Sequence, residues 1–230
     1  MKKWMLVLLP LLGALPVGCS QSRPTANVAT VSSIQSLAVA PVPDPDARVE
    51  TIICIRHAEK PPGGLGQLTV KGLNRSLALP KVLMGRYGTP LYIFAPNPSE
   101  LVDKKEGVYF YYVRPLATIE PTAILCGLPV NTEFGFREID RLENELLQPQ
   151  YENSVLFVAW EHGQLASFAR NMIRDHKGDV RQVANWPGED YDTIYIFRIT
   201  TRDGKKTFSF TIEKEGLNDV SDKYPEPAGH

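Results

Sequence analysis

The sequence predicts an α/β fold with three layers, α/β/α, a mostly parallel central sheet and a C-terminal β-hairpin. Two observations support this prediction. From Val49 onward, short runs rich in β-branched and aromatic residues alternate with longer segments of helical periodicity, which is typical of strands covered by helices on both faces of a sheet. Near the C terminus, two further β-rich runs flank the pair Asp203-Gly204, a dipeptide that favours the tight turn of a hairpin.

Each element has its own signal along the chain. The run Thr51 to Ile55 is apolar and β-branched, as expected for a buried strand, and Pro115 suits the first turn of a helix. The predicted order is a strand at about 50–55, a helix at 69–87, a strand at 91–95, a polar loop at 96–107, a strand at 108–113, a helix beginning near Pro115, a helix at 138–147, a strand at 154–160, a helix at 163–174 and a hairpin formed by 193–200 and 207–213.

The composition is that of one globular domain. The chain has 230 residues, of which 43% are hydrophobic and 22% charged. Its 25 Lys and Arg against 26 Asp and Glu give a formal net charge of -1, so it lacks the basic field with which proteins bind nucleic acid. We therefore expect no nucleic-acid partner, and the sequence leaves the oligomeric state open.

The N terminus predicts export from the cytoplasm. Residues 1–19 begin with two lysines, continue with the apolar run Trp4 to Val17 and reach the pair Gly18-Cys19, which is the pattern of a secretory signal. The pair resembles a bacterial lipoprotein processing site, with Cys19 as the candidate for lipid attachment; the alternative is a signal that is simply cleaved. The expected location is the periplasm or cell envelope, with a membrane tether if Cys19 is lipidated.

The rest of the chain divides into three parts. Residues 20–48 are rich in Ser, Thr, Ala, Val and Pro and show no periodicity, so we predict a flexible linker. Residues 49–215 form the predicted domain, and residues 216–230 are a polar tail that we expect to be loose. Inside the domain, Cys54 and Cys126 lie in apolar stretches and are interpreted as buried thiols, with a disulfide between them left open. No Cys/His cluster has metal-ligand spacing, so no metal is expected.

An arginine and a histidine follow the first predicted strand. Arg56 and His57 come directly after the apolar run, and the carboxyl end of a strand is where ligand sites form in α/β sheets. A permanent cation beside an imidazole suits a bound phosphate that the imidazole attacks. Taken alone, His57 is equally interpreted as a structural hydrogen-bonding residue.

Two further residues are predicted at the same edge of the sheet. His162 follows the strand at 154–160 and opens a helix whose free amide groups favour an anion. Arg114 ends the strand at 108–113 and precedes the next helix. Together with Arg56 and His57, these residues make a pocket of four cationic or imidazole side chains with no metal.

The order and spacing of these motifs resemble those of the histidine phosphatase superfamily, which has the phosphoglycerate-mutase-like fold, and in particular its small phosphatases. The resemblance runs from about residue 51 to residue 200. It rests on Arg56-His57-Ala58-Glu59, on the helix start Leu68 to Arg75, on Arg114 to Thr118, on Glu161-His162-Gly163 and on Tyr191-Asp192. Ala58 stands where the family usually has glycine.

The resemblance implies a metal-independent phosphomonoester hydrolase that acts on a small phosphorylated substrate without a cofactor. His57 would be the nucleophile that forms a phosphohistidine, and Arg56, Arg114 and His162 would bind the phosphate. The general acid is less defined: Glu138 is the favoured candidate. The others are Glu133, Glu161 and Glu59. The alternative from another functional class is a lipoprotein of the same fold that binds a phosphorylated or other anionic ligand without turning it over.

Overall fold

A computed structural model describes residues 46–104 and 107–225 of the chain. The predicted signal segment with Cys19, most of the predicted linker and the last five residues of the predicted tail lie outside the described residues. Within the described ranges, no helix combines the length and the apolar character needed to cross a membrane.

The described elements follow the predicted order. The strands are β1 (Arg48–Arg56), β2 (Tyr92–Phe94), β3 (Leu101–Lys104), β4 (Val108–Tyr111), β5 (Val130–Asn131), β6 (Val155–Trp160), β7 (Thr193–Arg202) and β8 (Lys205–Lys214). The helices are α1 (Val70–Tyr87), α2 (Arg114–Cys126), α3 (Ile139–Leu146) and α4 (His162–Asp175), with short 3₁₀ turns at Pro149–Tyr151 and Val180–Gln182.

Six of these strands form the central sheet, in the order β5-β2-β6-β1-β7-β8. The first four are parallel to one another, whereas β7 runs antiparallel to β1 and forms the predicted C-terminal hairpin with β8. In the centre, Ile53 of β1 lies opposite Phe157 of β6 and Ile196 of β7. The predicted mostly parallel sheet with its terminal hairpin is confirmed.

Helices cover both faces of the sheet. Because successive side chains of a strand point to opposite faces, Ile53 and Ile55 of β1 pack into the core beneath α1 and α2. Ile52 and Cys54 pack into the core shared with α3 and α4. Cys126 ends α2 on the other side of the sheet, and both cysteines are free thiols.

One predicted strand does not belong to the central sheet. The predicted strand at 108–113 shortens to β4, which pairs with β3 in a separate antiparallel hairpin. The predicted polar loop at 96–107 therefore contains a strand. Both strands of the hairpin carry exposed apolar side chains, such as Leu101 and Tyr109, which are more than half exposed, so their pattern lacks the continuous burial of β1 and β6.

The first part of the predicted loose tail is attached to α1. The side-chain amide of Asn74 donates hydrogen bonds to the carbonyl oxygens of Ser221 and Lys223, at 2.7 and 2.8 Å. The backbone amide of Leu217 donates to the carboxylate of Asp192 at 2.9 Å. These contacts correct the prediction for the described residues after β8.

Candidate active site

Two adjacent parallel strands bring the predicted arginine and histidines together. Arg56 at the end of β1 lies opposite Trp160 at the end of β6, and the backbone amide of His57 donates to the carbonyl oxygen of Trp160 at 2.9 Å. His162 begins α4 two residues later. The side chains of Arg56, His57 and His162 consequently line one cleft at the carboxyl edge of the sheet.

His57 is deeply enclosed in this cleft. It is 2% exposed, and its Nδ1 lies 2.8 Å from the carbonyl oxygen of Ala58. If Nδ1 carries the proton and donates it to that carbonyl, Nε2 keeps a free lone pair. Burial and then the positive charge of Arg114 hold the pKa of His57 well below its ordinary value of 6.5. The imidazole is therefore neutral near pH 7, which is the state that a nucleophile requires.

Arg56 is fixed by the loop before β7. One terminal nitrogen donates to the carbonyl oxygens of Gly188 and Asp190, at 2.6 and 3.0 Å. The guanidinium lies over the ring of Tyr191, 3.9 Å from its centre, in a cation–π contact. Its Nε is buried and has no hydrogen-bond partner in the part of the chain that the structure describes. A bound anion would supply the acceptor that this buried donor needs.

Arg114 reaches the same cleft from a helix instead of from a strand of the central sheet. It is the first residue of α2, is 3% exposed, and donates to the carbonyl oxygen of Gly64 at 3.0 Å. Its guanidinium lies 4.8 Å from the ring centre of Tyr112. Like that of Arg56, its Nε is buried and has no hydrogen-bond partner within residues 46–104 and 107–225. Each of the two buried guanidinium groups therefore has an Nε–H donor that is available to a bound anion.

Thr118 links the helix of Arg114 to the segment of His57. Its hydroxyl accepts a hydrogen bond from the backbone amide of Ala58 at 2.9 Å and donates to the carbonyl oxygen of Arg114 at 2.8 Å. Thr118 is fully buried. Because Thr118 lies one turn after Arg114 in α2, its hydroxyl connects the start of this helix to the segment that carries His57.

Glu161 is the carboxylate nearest to His162. Its Oε1 lies 2.6 Å from His162 Nδ1, and its Oε2 accepts from the backbone amide of Gln164 as the N-cap of α4. Burial raises the pKa of Glu161, but His162 and the backbone amides of Gln164 and Gly163 outweigh burial and lower the pKa to about 2. Glu161 is therefore ionised at neutral pH and orients His162.

These side chains enclose a cleft of about 260 Å³. Besides the four predicted site residues and Glu161, the lining includes Lys60, Val102, Tyr112, Phe136 and Arg137, which the sequence analysis did not assign to the site. Lys60 belongs to the same strand-end segment as His57, so its position could have been anticipated. The other four lie in or next to the β3–β4 hairpin, or in the loop before α3. No local sequence pattern predicts that these segments approach the edge of the central sheet.

The predicted general acid does not lie in this cleft. Glu138 precedes α3, where its carboxylate accepts from the backbone amide of Gly135 at 2.9 Å and from Arg141 at 2.7 Å. The Gly135 amide and then Arg141 lower the pKa of Glu138, which is the opposite of what a proton donor needs. The prediction for Glu138 is therefore corrected: this side chain stabilises the start of α3. Glu133 is likewise exposed and faces Arg141.

Glu59 belongs to a buried ion network behind the cleft. Its two oxygens accept from Arg75 of α1, both at 2.9 Å. Arg75 is fully buried and also contacts Glu215 at 2.5 Å and Asp192 at 3.4 Å. Asn218 accepts a further hydrogen bond from it at 3.2 Å. Three acidic side chains around one guanidinium tie α1 to the segment after β1, the loop before β7 and the chain after β8.

A larger cavity lies elsewhere, and its described lining residues include no catalytic group. It is a groove of about 680 Å³ between α1 and α2, lined mainly by apolar side chains such as Leu77, Met84 and Ile124. Lys81 is its single charged lining residue among those described. The smaller cleft, which contains the histidines and arginines, is therefore the candidate active site.

No family model and no curated protein matches the chain. Among solved structures, it is similar to the mycobacterial glucosyl-3-phosphoglycerate phosphatase, at 12% identity and a TM-score of 0.49, over 72% of this chain and 98% of that one. It is also similar to a phosphoglycerate mutase from Plasmodium falciparum, at 13% identity and a TM-score of 0.44, over 79% and 98% of the two chains. A phosphoserine phosphatase variant from Entamoeba histolytica has 11% identity and a TM-score of 0.46, over 73% and 98%. At such identities these are likenesses of fold, and the chemistry of the cleft follows from its own residues.

Proposed function

We propose that the chain is a phosphomonoester hydrolase that works through a phosphohistidine at His57. The observation that carries the proposal is a buried, neutral imidazole beside two buried arginines, each with an Nε donor that has no partner among the described residues. This arrangement supplies a nucleophile and positive charge for the same small anion.

The reaction proceeds in two displacements. In the first, Nε2 of His57 attacks the phosphorus, the bond between phosphorus and the leaving oxygen breaks, and a phosphohistidine forms. Arg56, Arg114 and protonated His162 bind the three other oxygens and stabilise the charge that develops on them. In the second, water attacks the phosphohistidine, loses a proton to solvent, and releases inorganic phosphate and neutral His57.

The proton for the leaving oxygen does not come from a carboxylic acid in the described lining. Glu161 is the one carboxyl group among the described lining residues, and its pKa of about 2 keeps it ionised. The proton then comes from His162 or from solvent. Substrates whose leaving groups are stable as anions should react fastest, because they need this proton least.

We propose that the hydrolysis needs no metal and takes place in the periplasm or cell envelope. Among the described residues, no three His, Cys, Asp or Glu side chains are placed to hold a metal ion. Export rests on the signal pattern of residues 1–19, and a membrane tether rests on lipidation of Cys19. The substrate would be a small phosphorylated compound of that compartment.

The test is hydrolysis of p-nitrophenyl phosphate by the full chain at several pH values, with and without a metal chelator. We expect turnover that resists the chelator and falls by at least about 1,000-fold in His57→Ala, as for the loss of a covalent nucleophile. His176→Ala is the matched control, because His176 stacks on Phe208 outside the cleft. Turnover that survives in His57→Ala, or that the chelator removes, would contradict the proposal.

One observation favours a second candidate, the non-catalytic binding protein. The described cleft has the cationic groups that bind an anion but no carboxylic acid poised to protonate a leaving group. A binding protein would bind inorganic phosphate, and this binding would raise the melting temperature of the protein. It would hydrolyse no phosphomonoester at any pH. The same set of samples therefore distinguishes the two functions.

A further inference from the structure

We infer that Tyr112 is a further substrate-binding residue of the cleft, and that its hydroxyl group donates a hydrogen bond to an oxygen of the bound phosphoryl group. The inference rests on the proposed function. It adds an uncharged donor to the arginines and the histidine that hold the phosphoryl oxygens in that proposal.

Tyr112 lies between the β3–β4 hairpin and the first residue of α2. Its backbone amide donates to the carbonyl oxygen of Glu100 at 3.1 Å, so the pairing of the hairpin continues to this point. Tyr109 and Tyr111 on β4 are both 59% exposed, whereas Tyr112 is 1% exposed and lines the cleft. Because successive side chains of an extended segment point to opposite sides, Tyr112 faces inward where its neighbour Tyr111 faces solvent.

The ring of Tyr112 is held by contacts that do not involve its hydroxyl group. Its centre lies 5.0 Å from the ring centre of Phe136, and it meets the ring of His57 edge-on at 6.2 Å. The guanidinium of Arg114 lies 4.8 Å from the same ring centre. A phenylalanine at this position would therefore keep these contacts and lose the hydroxyl group alone.

The hydroxyl group is a buried donor that faces the charges of the cleft. Its oxygen is buried and has no hydrogen-bond partner among the described residues. Burial raises the pKa of Tyr112 above its ordinary value of 10, and the charges that also act on it belong to Arg114, Glu161 and Arg56, which all line the cleft. The group consequently keeps its proton at neutral pH and can donate it in a hydrogen bond.

The described lining offers this donor no free carboxylate. Glu161 is the one carboxyl group there, and its two oxygens already contact His162 and the backbone amide of Gln164. A buried hydroxyl group that makes no hydrogen bond is costly, because it has lost its contact with water.

Three buried donors without an acceptor in the described part of the chain belong to one cleft. They are Nε of Arg56, Nε of Arg114 and the hydroxyl group of Tyr112. Buried polar groups are normally hydrogen-bonded, and a phosphoryl group has several oxygens that each accept more than one hydrogen bond. One bound phosphoryl group would therefore satisfy all three donors.

The experiment removes the hydroxyl group and measures anion binding and stability separately. Isothermal titration calorimetry of the full chain gives the dissociation constant of inorganic phosphate, and we expect Tyr112→Phe to raise it by about tenfold or more, the range of one hydrogen bond to a charged group. The kcat/KM for p-nitrophenyl phosphate should fall by a similar factor. Tyr195→Phe is the matched control, because Tyr195 is 2% exposed and does not line the cleft. It should keep both values.

Stability distinguishes this role from a structural one. Removal of a buried polar group that has no partner should leave the unfolding free energy of Tyr112→Phe, measured without phosphate, unchanged or higher. Phosphate affinity is measured at a temperature where circular dichroism shows both variants to be folded. A folded Tyr112→Phe that binds phosphate as tightly as the unaltered chain would overturn the inference, whatever its stability.

The two measurements also separate this inference from the proposed hydrolysis. Weaker phosphate binding in Tyr112→Phe, in a protein that hydrolyses no phosphomonoester, would refute the hydrolysis and retain the Tyr112 contact. Turnover that requires His57, together with phosphate affinity that Tyr112→Phe leaves intact, would do the reverse.

Discussion

At the scale of the residue, the burial of His57 determines both reactivity and stability. The side chain is enclosed by Tyr112 and Tyr191, with ring centres 6.2 and 6.1 Å away, and by two arginines. A proton on this imidazole would be poorly solvated and close to like charge, so the neutral form is strongly favoured. The same burial that keeps His57 unprotonated at neutral pH also makes its protonation in acid unfavourable.

Removal of one neighbouring charge should make His57 easier to protonate. Arg114 is the second cause, after burial, of the lowered pKa of His57. In Arg114→Gln we expect the pKa of His57 to rise toward 6.5, measured by NMR titration of the histidine ring protons, with His57→Ala used for assignment. Arg141→Gln removes a similar charge outside the cleft and should leave the titration unchanged. Identical His57 titrations in the two variants would contradict this electrostatic account.

At the scale of the element, α2 contributes to the site through one buried hydroxyl as well as through its first residue. Thr118 holds the backbone of Ala58, next to His57, against the start of the helix. Thr122 lies one turn further along α2 and is just as buried, but its hydroxyl has no hydrogen-bond partner among the described residues. The two threonines are therefore a matched pair.

Thr118→Val should destabilise the protein and impair the site, whereas Thr122→Val should not. Without the hydroxyl, the buried amide of Ala58 loses its acceptor, which costs about 1–3 kcal/mol of unfolding free energy. Thr122→Val removes a buried polar group that has no partner and should be neutral or slightly stabilising. Chemical denaturation and the kcat for p-nitrophenyl phosphate measure the two effects. Equal losses in both variants would show that the Thr118 hydrogen bonds are unimportant.

Helix α1 contributes through Arg75, which positions two segments of the site. One segment carries His57 and Glu59, and the other carries Tyr191 and Asp192. Arg75→Met would leave three acidic side chains near one another without the cation that they share. Removal of one partner from a buried ion pair typically costs about 3–5 kcal/mol.

The Arg75 variant should lose activity as well as stability. We expect kcat to fall even at a temperature where circular dichroism shows Arg75→Met to be folded, because the segment of His57 is no longer anchored. Lys81→Met is the control on the same helix, since Lys81 is exposed and its loss should change stability by less than about 0.5 kcal/mol. If folded Arg75→Met keeps its kcat, the network has a structural role alone.

At the scale of the whole molecule, the sequence could predict what depends on local pattern. The burial of β1 and β6 is visible in their apolar runs, so Arg56, His57 and His162 could be placed at one sheet edge. Contacts between distant segments leave no such pattern. Arg75 and Glu215 are separated by 140 positions, and Arg137 reaches the cleft through a loop. The pairing of Glu138 with Arg141, outside the cleft, depends on the local turn before α3 and has no signal in the sequence.

The stability of the whole domain should depend on pH through three buried carboxyl groups. Glu50 lies on β1, Glu143 on α3 and Glu215 after β8, and each side chain is buried. Burial raises the pKa of Glu50 and Glu143 to about 7 and that of Glu215 to about 8, even though Arg75 acts on Glu215 in the opposite direction. In the unfolded chain, glutamate titrates near its ordinary pKa of about 4.3. The folded state therefore binds more protons than the unfolded state between about pH 5 and 8.

Because the folded pKa values are the higher ones, this stabilisation is complete below about pH 4 and is lost as the pH rises through 7 to 8. Each group can contribute a slope of up to about 1.4 kcal/mol per pH unit. His57, whose folded pKa is lowered, acts in the opposite direction as the pH falls below 6.5. We expect the unfolding free energy from denaturant titrations to decline between pH 6.5 and 8.5, and the decline to flatten when Glu50, Glu143 and Glu215 are replaced by Gln. Replacement of the exposed Glu120 and Glu133 should leave the decline unchanged. An unaltered slope in the triple variant would show that these carboxyl groups are already ionised in the folded protein.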